Sequence, residues 1–168
     1  MSKAFTSEET PESVPVVRPP PRLRPGEVRY VTPEGQAALT AARAHLAAAR
    51  AEALRLAEPE RAARLAELDA RLAAADGTLA ALTVLGPTGP EDQVGFGSWV
   101  TVENEAGQRT TWRIVGPDEA DARRGSISAE APVARALLGR EAGDEVEVQR
   151  PGGSRTLRVV EVRRTVPA

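Results

Sequence analysis

The sequence predicts an α+β protein in which an antiparallel α-helical coiled-coil hairpin precedes a small antiparallel-sheet domain with one short helix. Between residues 33 and 85, apolar residues recur at alternating steps of three and four, which is the spacing of a helical seam. Beyond residue 94, apolar residues alternate with polar ones, as in half-buried strands. The Gly- and Pro-rich residues 86–93 lie between the two patterns and read as a linker.

The N-terminal residues 1–29 are predicted to form a disordered, Pro-rich arm, because they are rich in Pro, Ser and Glu and offer little to bury. The stretch "VVRPPPRLRP" favours polyproline II geometry, as a solvated tail or as a ligand for an aromatic groove. The chain shows neither the apolar core of a signal peptide nor a run of 18 apolar residues. We therefore expect a cytoplasmic protein without membrane contact.

The helical hairpin is assigned to residues 30–85. Thr32 is a suitable N-cap, Pro33 fits the first helical position, and Glu34 suits the positive end of the helix dipole. Two arms of about 25 residues predict a rod of about 37 Å. The predicted seam positions are Leu39, Ala42, Leu46, Ala49, Ala53 and Leu56 on the first arm, and Leu65, Leu68, Leu72, Ala75, Leu79 and Leu82 on the second.

The tip of the hairpin reads "RLAEPERAAR" and carries Glu58 and Glu60 on either side of Pro59, which fits the first position of the second helix. Two carboxylates at the end of a rod have the chemistry to assist a magnesium ion. Helix capping explains them as well, because an acid in the first turn of a helix is stabilised by the dipole. Three nearby arginines, Arg55, Arg61 and Arg64, would partly neutralise the pair. We favour the capping role.

The C-terminal domain is assigned to residues 94–164. "SWVTVENEAGQRTTWRIVG" and "DEVEVQRPGGSRTLRVVEVRR" predict two β-hairpins, "SIS" a short strand, and "PVARALLG" a short helix. The predicted core residues are Val100, Val102, Ile114, Val115, Ile127, Leu137, Leu138, Val146, Val148, Leu157, Val159, Val160 and Val162. This set is large enough for one compact core, so we expect a domain that folds around its own sheet.

Composition excludes several classes of function. Lys plus Arg number 22 against 24 Asp plus Glu, and no segment has the basic excess that direct nucleic-acid binding requires. The chain has no Cys and a single His, His45, so we predict no metal site and no cofactor. "GFGS" at residues 95–98 lacks the Gly-Lys-Ser/Thr of a P-loop. "DEAD" at residues 118–121 is interpreted as a charged loop, since a helicase needs two nucleotide-binding domains.

In their order, "YVTPEG", the helical hairpin, "VGFGSWVTVENEAG", "RIVGPDEAD", "GSISAEAPVARALLGREAGDEVEV" and "PGG" closely resemble the Gre family of bacterial transcript-cleavage factors. The resemblance covers residues 30–163, and "FGSWV", "VENEAG" and "MSKAFT" resemble the GreB branch more than GreA. It implies a C-terminal domain of FKBP-like fold that docks on the rim of the RNA polymerase secondary channel. It also implies a coiled coil that enters the channel, where acidic tip residues help to hold the second magnesium ion and its attacking water.

The resemblance assigns polymerase docking to Ile127, Ser128, Glu130 and Pro132 in "SISAEAPVARALL". Ala131 stands where the family usually has Ser. Burial in the core and helix initiation explain Ile127 and Pro132 equally well, whereas charged Glu130 is the stronger docking candidate. Nucleic acid would be contacted only indirectly, through the polymerase, and we expect a monomer.

The tip departs from the family pattern. No Asp-x-Ser-Glu stretch occurs in residues 33–85, and the hairpin is shorter than is usual in the family. We therefore predict a non-enzymatic Gre-like regulator that binds the secondary channel without stimulating transcript cleavage. The alternatives are a cleavage factor that uses Glu58 and Glu60, a peptidyl-prolyl isomerase suggested only by the implied fold, and a structural adaptor with another partner.

Overall fold

The computed structural model describes residues 28–165 of the chain. Its N-terminal part is an antiparallel helical hairpin, in which α1 spans Pro33–Ala53 and α2 spans Glu60–Ala81. Exposed ion pairs join the helices, Arg43 to Asp76 at 2.6 Å and Arg50 to Asp69 at 2.5 Å. The helices contain 21 and 22 residues, so the rod is about 32 Å long, shorter than the 37 Å predicted.

The hairpin is shorter than predicted because each helix ends before the last residue of its predicted seam. Leu56 follows the end of α1, where its N–H donates to the carbonyl of Ala53 at 3.1 Å and closes the turn. Leu82 is the first residue of a strand. Pro59, predicted at the first helical position, instead precedes α2, which begins at Glu60.

A two-stranded parallel sheet, which the sequence did not predict, closes the base of the hairpin. Strand β1, Arg29–Val31, pairs with β2, Leu82–Val84. Strands of three residues are too short to show an alternating pattern. Arg29, which the sequence assigned to the arm, therefore belongs to the folded part of the protein, while residues 1–27 of that arm lie outside the described residues.

The C-terminal domain contains a curled five-stranded sheet with the strand order β5-β4-β3-β7-β6. The strands are β3, Trp99–Asn104; β4, Arg109–Val115; β5, Ser126–Ser128; β6, Glu145–Arg150; and β7, Gly153–Arg163. Helix α3 spans Pro132–Leu137, and a short 3-10 helix spans Ala122–Arg124. Both predicted β-hairpins are confirmed. The sheet is mixed rather than wholly antiparallel, because residues 116–125 cross over and bring β5 parallel to β4.

The core lies between one face of this sheet and α3. Most of the predicted core residues are buried there, and Val94 and Ala134 join them. Leu138 was predicted in the core but is 36% exposed, because α3 ends at Leu137 and the next residue turns outward. Among the described residues, no helix combines the length and the apolar character that crossing a membrane requires.

Part of the segment predicted as a linker, residues 86–93, is fixed to the C-terminal domain by hydrogen bonds. The guanidinium of Arg164 donates to the carbonyls of Thr88 at 2.5 Å and Gly89 at 2.8 Å, and also to that of Pro90. Thr88 and Phe96 exchange two further bonds, of 3.0 and 3.1 Å. The start and the end of the domain are therefore held together.

Candidate functional site

The tip of the hairpin holds one of its two acidic residues in a capping position. Glu58 Oε1 accepts a hydrogen bond from Arg61 Nε at 2.9 Å, and Oε2 accepts one from the backbone N–H of Ala62 at 3.2 Å. That N–H belongs to the first turn of α2, where backbone donors have no partner within the helix. Glu60 is exposed and is the first residue of α2. Both oxygens of Glu58 are therefore engaged by the protein itself.

The arginines at the tip are also paired with acids. Arg55 lies 3.2 Å from Glu52 and Arg64 lies 2.6 Å from Glu67, in addition to the pair between Arg61 and Glu58. Within residues 28–165, no cluster of three or more His, Asp or Glu side chains is arranged to hold a metal ion. The tip therefore combines paired charges, apart from that of Glu60, with apolar surface that includes Leu54, which is 51% exposed.

The predicted docking residues lie together at the turn between β5 and α3, but they differ in exposure. Ile127 is 9% exposed and belongs to the core, while Glu130 and Pro132 are exposed. Ser128 Oγ accepts a hydrogen bond from the backbone N–H of Glu130 at 3.2 Å and so helps to shape the turn. Pro132 begins α3. Of the four residues, Glu130 and Pro132 offer the most surface to a partner.

A set of polar contacts, here called the joint, attaches the base of the hairpin to the C-terminal domain. It consists of Arg29, Thr32 and Glu34 on the hairpin side and Arg113, Asp118 and Glu119 on the domain side. Arg29 and Asp118 form an ion pair through two hydrogen bonds, one of them from Nε to Oδ2 at 2.9 Å. Their side chains are only 8% and 13% exposed. A pair buried to this degree is costly to break, because the remaining charge loses its partner away from water.

Glu119 accepts three hydrogen bonds in the joint. Its Oε1 accepts from the backbone N–H groups of Thr32 at 2.7 Å and Gly116 at 3.1 Å. Its Oε2 accepts from the hydroxyl of Thr32 at 2.5 Å. The same hydroxyl oxygen accepts from the N–H of Gly35 at 3.0 Å, as expected of an N-cap. The residue that begins α1 is therefore also the residue that Glu119 holds.

The third contact of the joint is more exposed. Arg113 Nη2 lies 2.9 Å from Glu34 Oε2, and the Arg113 guanidinium lies 5.7 Å from the centre of the Trp99 ring. The pKa of Glu34 lies below its ordinary value of 4.5, chiefly because its carboxylate accepts a hydrogen bond from its own backbone N–H and then because Arg113 binds it. Trp99 and Arg113 belong to the paired strands β3 and β4.

Glycine is required at the joint because the backbones of the two parts approach closely. A Cβ atom at Gly116 would lie 1.9 Å from the carbonyl oxygen of Tyr30. A Cβ atom at Gly35 would lie 1.7 Å from Glu119 Oε2. A side chain at Gly116 would therefore push the backbone of β1 away from the domain, whereas a side chain at Gly35 would displace the Glu119 carboxylate from its hydrogen bonds to Thr32.

The sequence did not identify the joint. Asp118 and Glu119 belong to the "DEAD" stretch that was interpreted as a charged loop, and Arg29 was assigned to the arm. Their partners are 89 and 87 positions away, so no local pattern reports the contacts. The available signal was the glycine that precedes "PDEAD", since a Gly in that position permits close approach of another backbone.

These features define a binding protein in which a helical rod is anchored in a fixed direction on a small sheet domain. Residues 89–164 match the family model described as "Transcription elongation factor, GreA/GreB, C-term". Transcription elongation factor GreB of Yersinia pestis is 43% identical over 101 residues, which are 60% of this chain and 59% of that protein. Transcription elongation factor GreA of Polaromonas naphthalenivorans is 47% identical over 90 residues, which are 52% and 57% of the two chains.

The chain is therefore similar to Gre transcription elongation factors through its C-terminal domain, residues 89–164. It matches less than two thirds of the length of these relatives. Among solved structures, the chain is similar to the GreA factor homolog Gfh1 of Thermus thermophilus, with 25% identity and a TM-score of 0.40. That similarity covers 82% of this chain and 99% of the other.

Proposed function

We propose that this protein is an elongation regulator that binds RNA polymerase at the rim of the secondary channel and occupies the channel without stimulating transcript cleavage. The C-terminal domain supplies docking through the turn that contains Ser128, Glu130 and Pro132. The helical hairpin supplies the rod that enters the channel. The protein itself performs no chemical step and therefore is not an enzyme.

The state of the tip is the observation that carries this proposal. Both oxygens of Glu58 accept hydrogen bonds from within the tip, whereas an acid that assists a magnesium ion must offer an oxygen to the ion or to its water. Among the described residues, Glu60 belongs to no cluster of three or more His, Asp or Glu side chains that could hold a metal ion. The rod is about 32 Å long, shorter than the 37 Å predicted for a hairpin that the sequence resemblance already implies to be short for the family. A shorter rod carries its tip less far into the channel.

The joint supports the same proposal from the other end of the rod. A rod can fill a narrow channel only when its direction is fixed relative to the surface that docks. The buried pair of Arg29 with Asp118 and the two bonds from Thr32 to Glu119 fix that direction. The hairpin therefore has a base that is fixed to the domain and a tip whose arginines are paired with acids. Both features suit a rod that blocks the channel.

A competition experiment tests the proposal. A backtracked RNA polymerase complex is supplied with a cleavage-active Gre factor, and transcript shortening is followed as this protein is added. We expect the cleavage rate to fall with increasing concentration, because the two proteins share one site. An unchanged rate would contradict docking at that site.

Two variants separate docking from chemistry in this assay. Glu58→Gln combined with Glu60→Gln should inhibit as well as the unaltered protein, because the acids have no catalytic part. Glu130→Lys should weaken inhibition about tenfold, equivalent to about 1.4 kcal/mol. Glu105→Lys is the matched control, since it makes the same charge change in the exposed β3–β4 turn. Faster cleavage that depends on Glu58 and Glu60 would instead identify a cleavage factor.

A further inference from the structure

A small pocket lies on the sheet between the ends of the two β-hairpins, β3–β4 and β6–β7. Its floor is apolar and its rim is polar, and its volume is about 90 Å³. The floor is formed by Val102, Trp112, Val148 and Leu157, and the rim by Asn104, Gln108, Thr110, Arg150 and Arg155. Val102, Val148 and Leu157 are core residues, so the pocket is a continuation of the core face.

The pocket is separate from the predicted docking turn. Ile127 of that turn pairs with Ile114 on β4, while the pocket uses Thr110 and Trp112 of the same strand. These residues lie two to four positions from Ile114, which corresponds to about 7–13 Å along a strand. A ligand in the pocket would therefore touch a different end of the sheet from the docking turn.

Two arginines give the pocket its charge. Within residues 28–165, neither Arg150 nor Arg155 forms an ion pair, although many other arginines there do. Arg158, three positions beyond Arg155 along β7, points to the opposite face and is bound by Glu103. The guanidiniums at the rim are thus available to an external acid, and their planar fork suits a carboxylate.

A second cavity of about 250 Å³ adjoins the pocket, because both share Asn104, Gln108 and Arg155. Its other lining residues are Glu105, Ala106 and Thr156, so its wall is polar and can bond a peptide backbone. The acid of Glu105 disfavours a second anionic group there. A ligand is therefore oriented with its acid toward the arginines and its neutral backbone toward Glu105.

We propose that this site binds the carboxyl end of a peptide whose last side chain is apolar. The side chain fills the pocket above Trp112, the terminal carboxylate binds Arg150 and Arg155, and the preceding backbone lies in the adjoining cavity. A pocket of about 90 Å³ suits an aliphatic side chain. This site is independent of the polymerase docking proposed above, and its test requires no polymerase.

The two tryptophans provide the measurement. Indole N–H signals of the full ¹⁵N-labelled chain are followed by NMR during titration with acetyl-Gly-Ala-Leu, and Trp99→Phe assigns them. The Trp112 signal should shift saturably, with a Kd of about 1 mM. The Trp99 signal should not move, because Trp99 lies beside Arg113 at the joint. No saturable shift of Trp112 at about 10 mM peptide would overturn the proposal.

Four comparisons define the chemistry of the ligand. The same tripeptide with a C-terminal amide should bind at least about tenfold more weakly, because it lacks the charge; a tenfold change is about 1.4 kcal/mol. Arg155→Gln should weaken binding by a similar factor, while Arg140→Gln, which removes an exposed charge elsewhere, should not. Equal binding of the amide would overturn the role of the arginines. Isovalerate binding as tightly as the tripeptide would overturn the assignment to a peptide.

Discussion

At the scale of single residues, the proposed docking turn shows how one missing hydroxyl changes a helix end. Ala131 occupies the N-cap of α3 with an extended backbone, and its side chain makes no capping hydrogen bond. The family usually has Ser at this position, as the sequence resemblance implies. The first-turn N–H groups of α3 therefore lack the side-chain acceptor that a Ser would supply.

We expect Ala131→Ser to raise the free energy of unfolding by about 0.5–1 kcal/mol, toward the low end for an N-cap because α3 has a single turn and a half. Urea denaturation followed by circular dichroism measures the change. Ala120→Ser, in an exposed loop, is the control and should leave the midpoint unchanged. An unaltered midpoint for Ala131→Ser would show that solvent already satisfies the first turn of α3.

Glu34 provides a prediction for pH. Because its folded-state pKa is below 4.5, folding favours the ionised carboxylate. The stability that Glu34 contributes is therefore present above pH 4.5 and is lost as the pH falls through the folded pKa. A carboxyl titration by NMR should give a pKa below 4.5, which Arg113→Gln raises only in part, since the largest cause is the hydrogen bond from the backbone. A full return to 4.5 in that variant would contradict this order of causes.

At the scale of elements, the two glycines of the hairpin and of the joint have opposite roles. Gly77 lies inside α2 with no atom within 4 Å of the position that a Cβ would take. Gly116 is packed against the backbone of β1. The same substitution is thus favourable in one element and impossible without displacement in the other.

Gly77→Ala should stabilise the protein by about 1 kcal/mol, because Ala is the better helix former and meets no obstacle. Gly116→Ala should destabilise it, because the new methyl group would overlap the carbonyl of Tyr30. Thermal unfolding of the two variants measures both effects beside the unaltered chain. If both variants changed the unfolding temperature by the same amount in the same direction, the close approach of Gly116 to Tyr30 would be refuted.

At the scale of the whole molecule, the buried ion pair of the joint sets the direction of the rod. We expect Asp118→Asn to lower the free energy of unfolding by about 3–5 kcal/mol, because Arg29 keeps a buried charge without its partner. Asp76→Asn is the matched control in the exposed pair with Arg43, where the cost should be about 0–1 kcal/mol. Urea denaturation measures the free energy of unfolding of both variants. Circular dichroism without urea verifies that each variant retains its helix content.

The competition assay extends this prediction to function. Asp118→Asn should inhibit transcript cleavage less than Asp76→Asn does at equal concentration, because a rod with a loosened base no longer holds its direction in the channel. Equal inhibition by the two variants would show that the channel itself orients the hairpin.

Local patterns in the sequence predicted the parts of the fold but not their assembly. The steps of three and four gave both helices, and the alternation gave the two β-hairpins, because these signals arise from neighbouring residues. The end of α2 was misplaced at Leu82 because a leucine continues a helical seam and starts a strand equally well. The pairing of β1 with β2 and the bonds between Glu119 and Thr32 join residues more than 50 positions apart, and no local pattern in the sequence reports such contacts.

The bond between Arg164 and residues 88–90 has a mechanical consequence. The chain enters the C-terminal domain at the segment that Arg164 binds through its guanidinium. Arg164 directly follows β7, which lies between β3 and β6 in the sheet. A pulling force on the hairpin is therefore divided between the ion pair of Arg29 with Asp118 and the hydrogen bonds of Arg164, which connect to an interior strand. The force is then carried by β7 and its two neighbouring strands, and it does not separate an edge strand from the sheet.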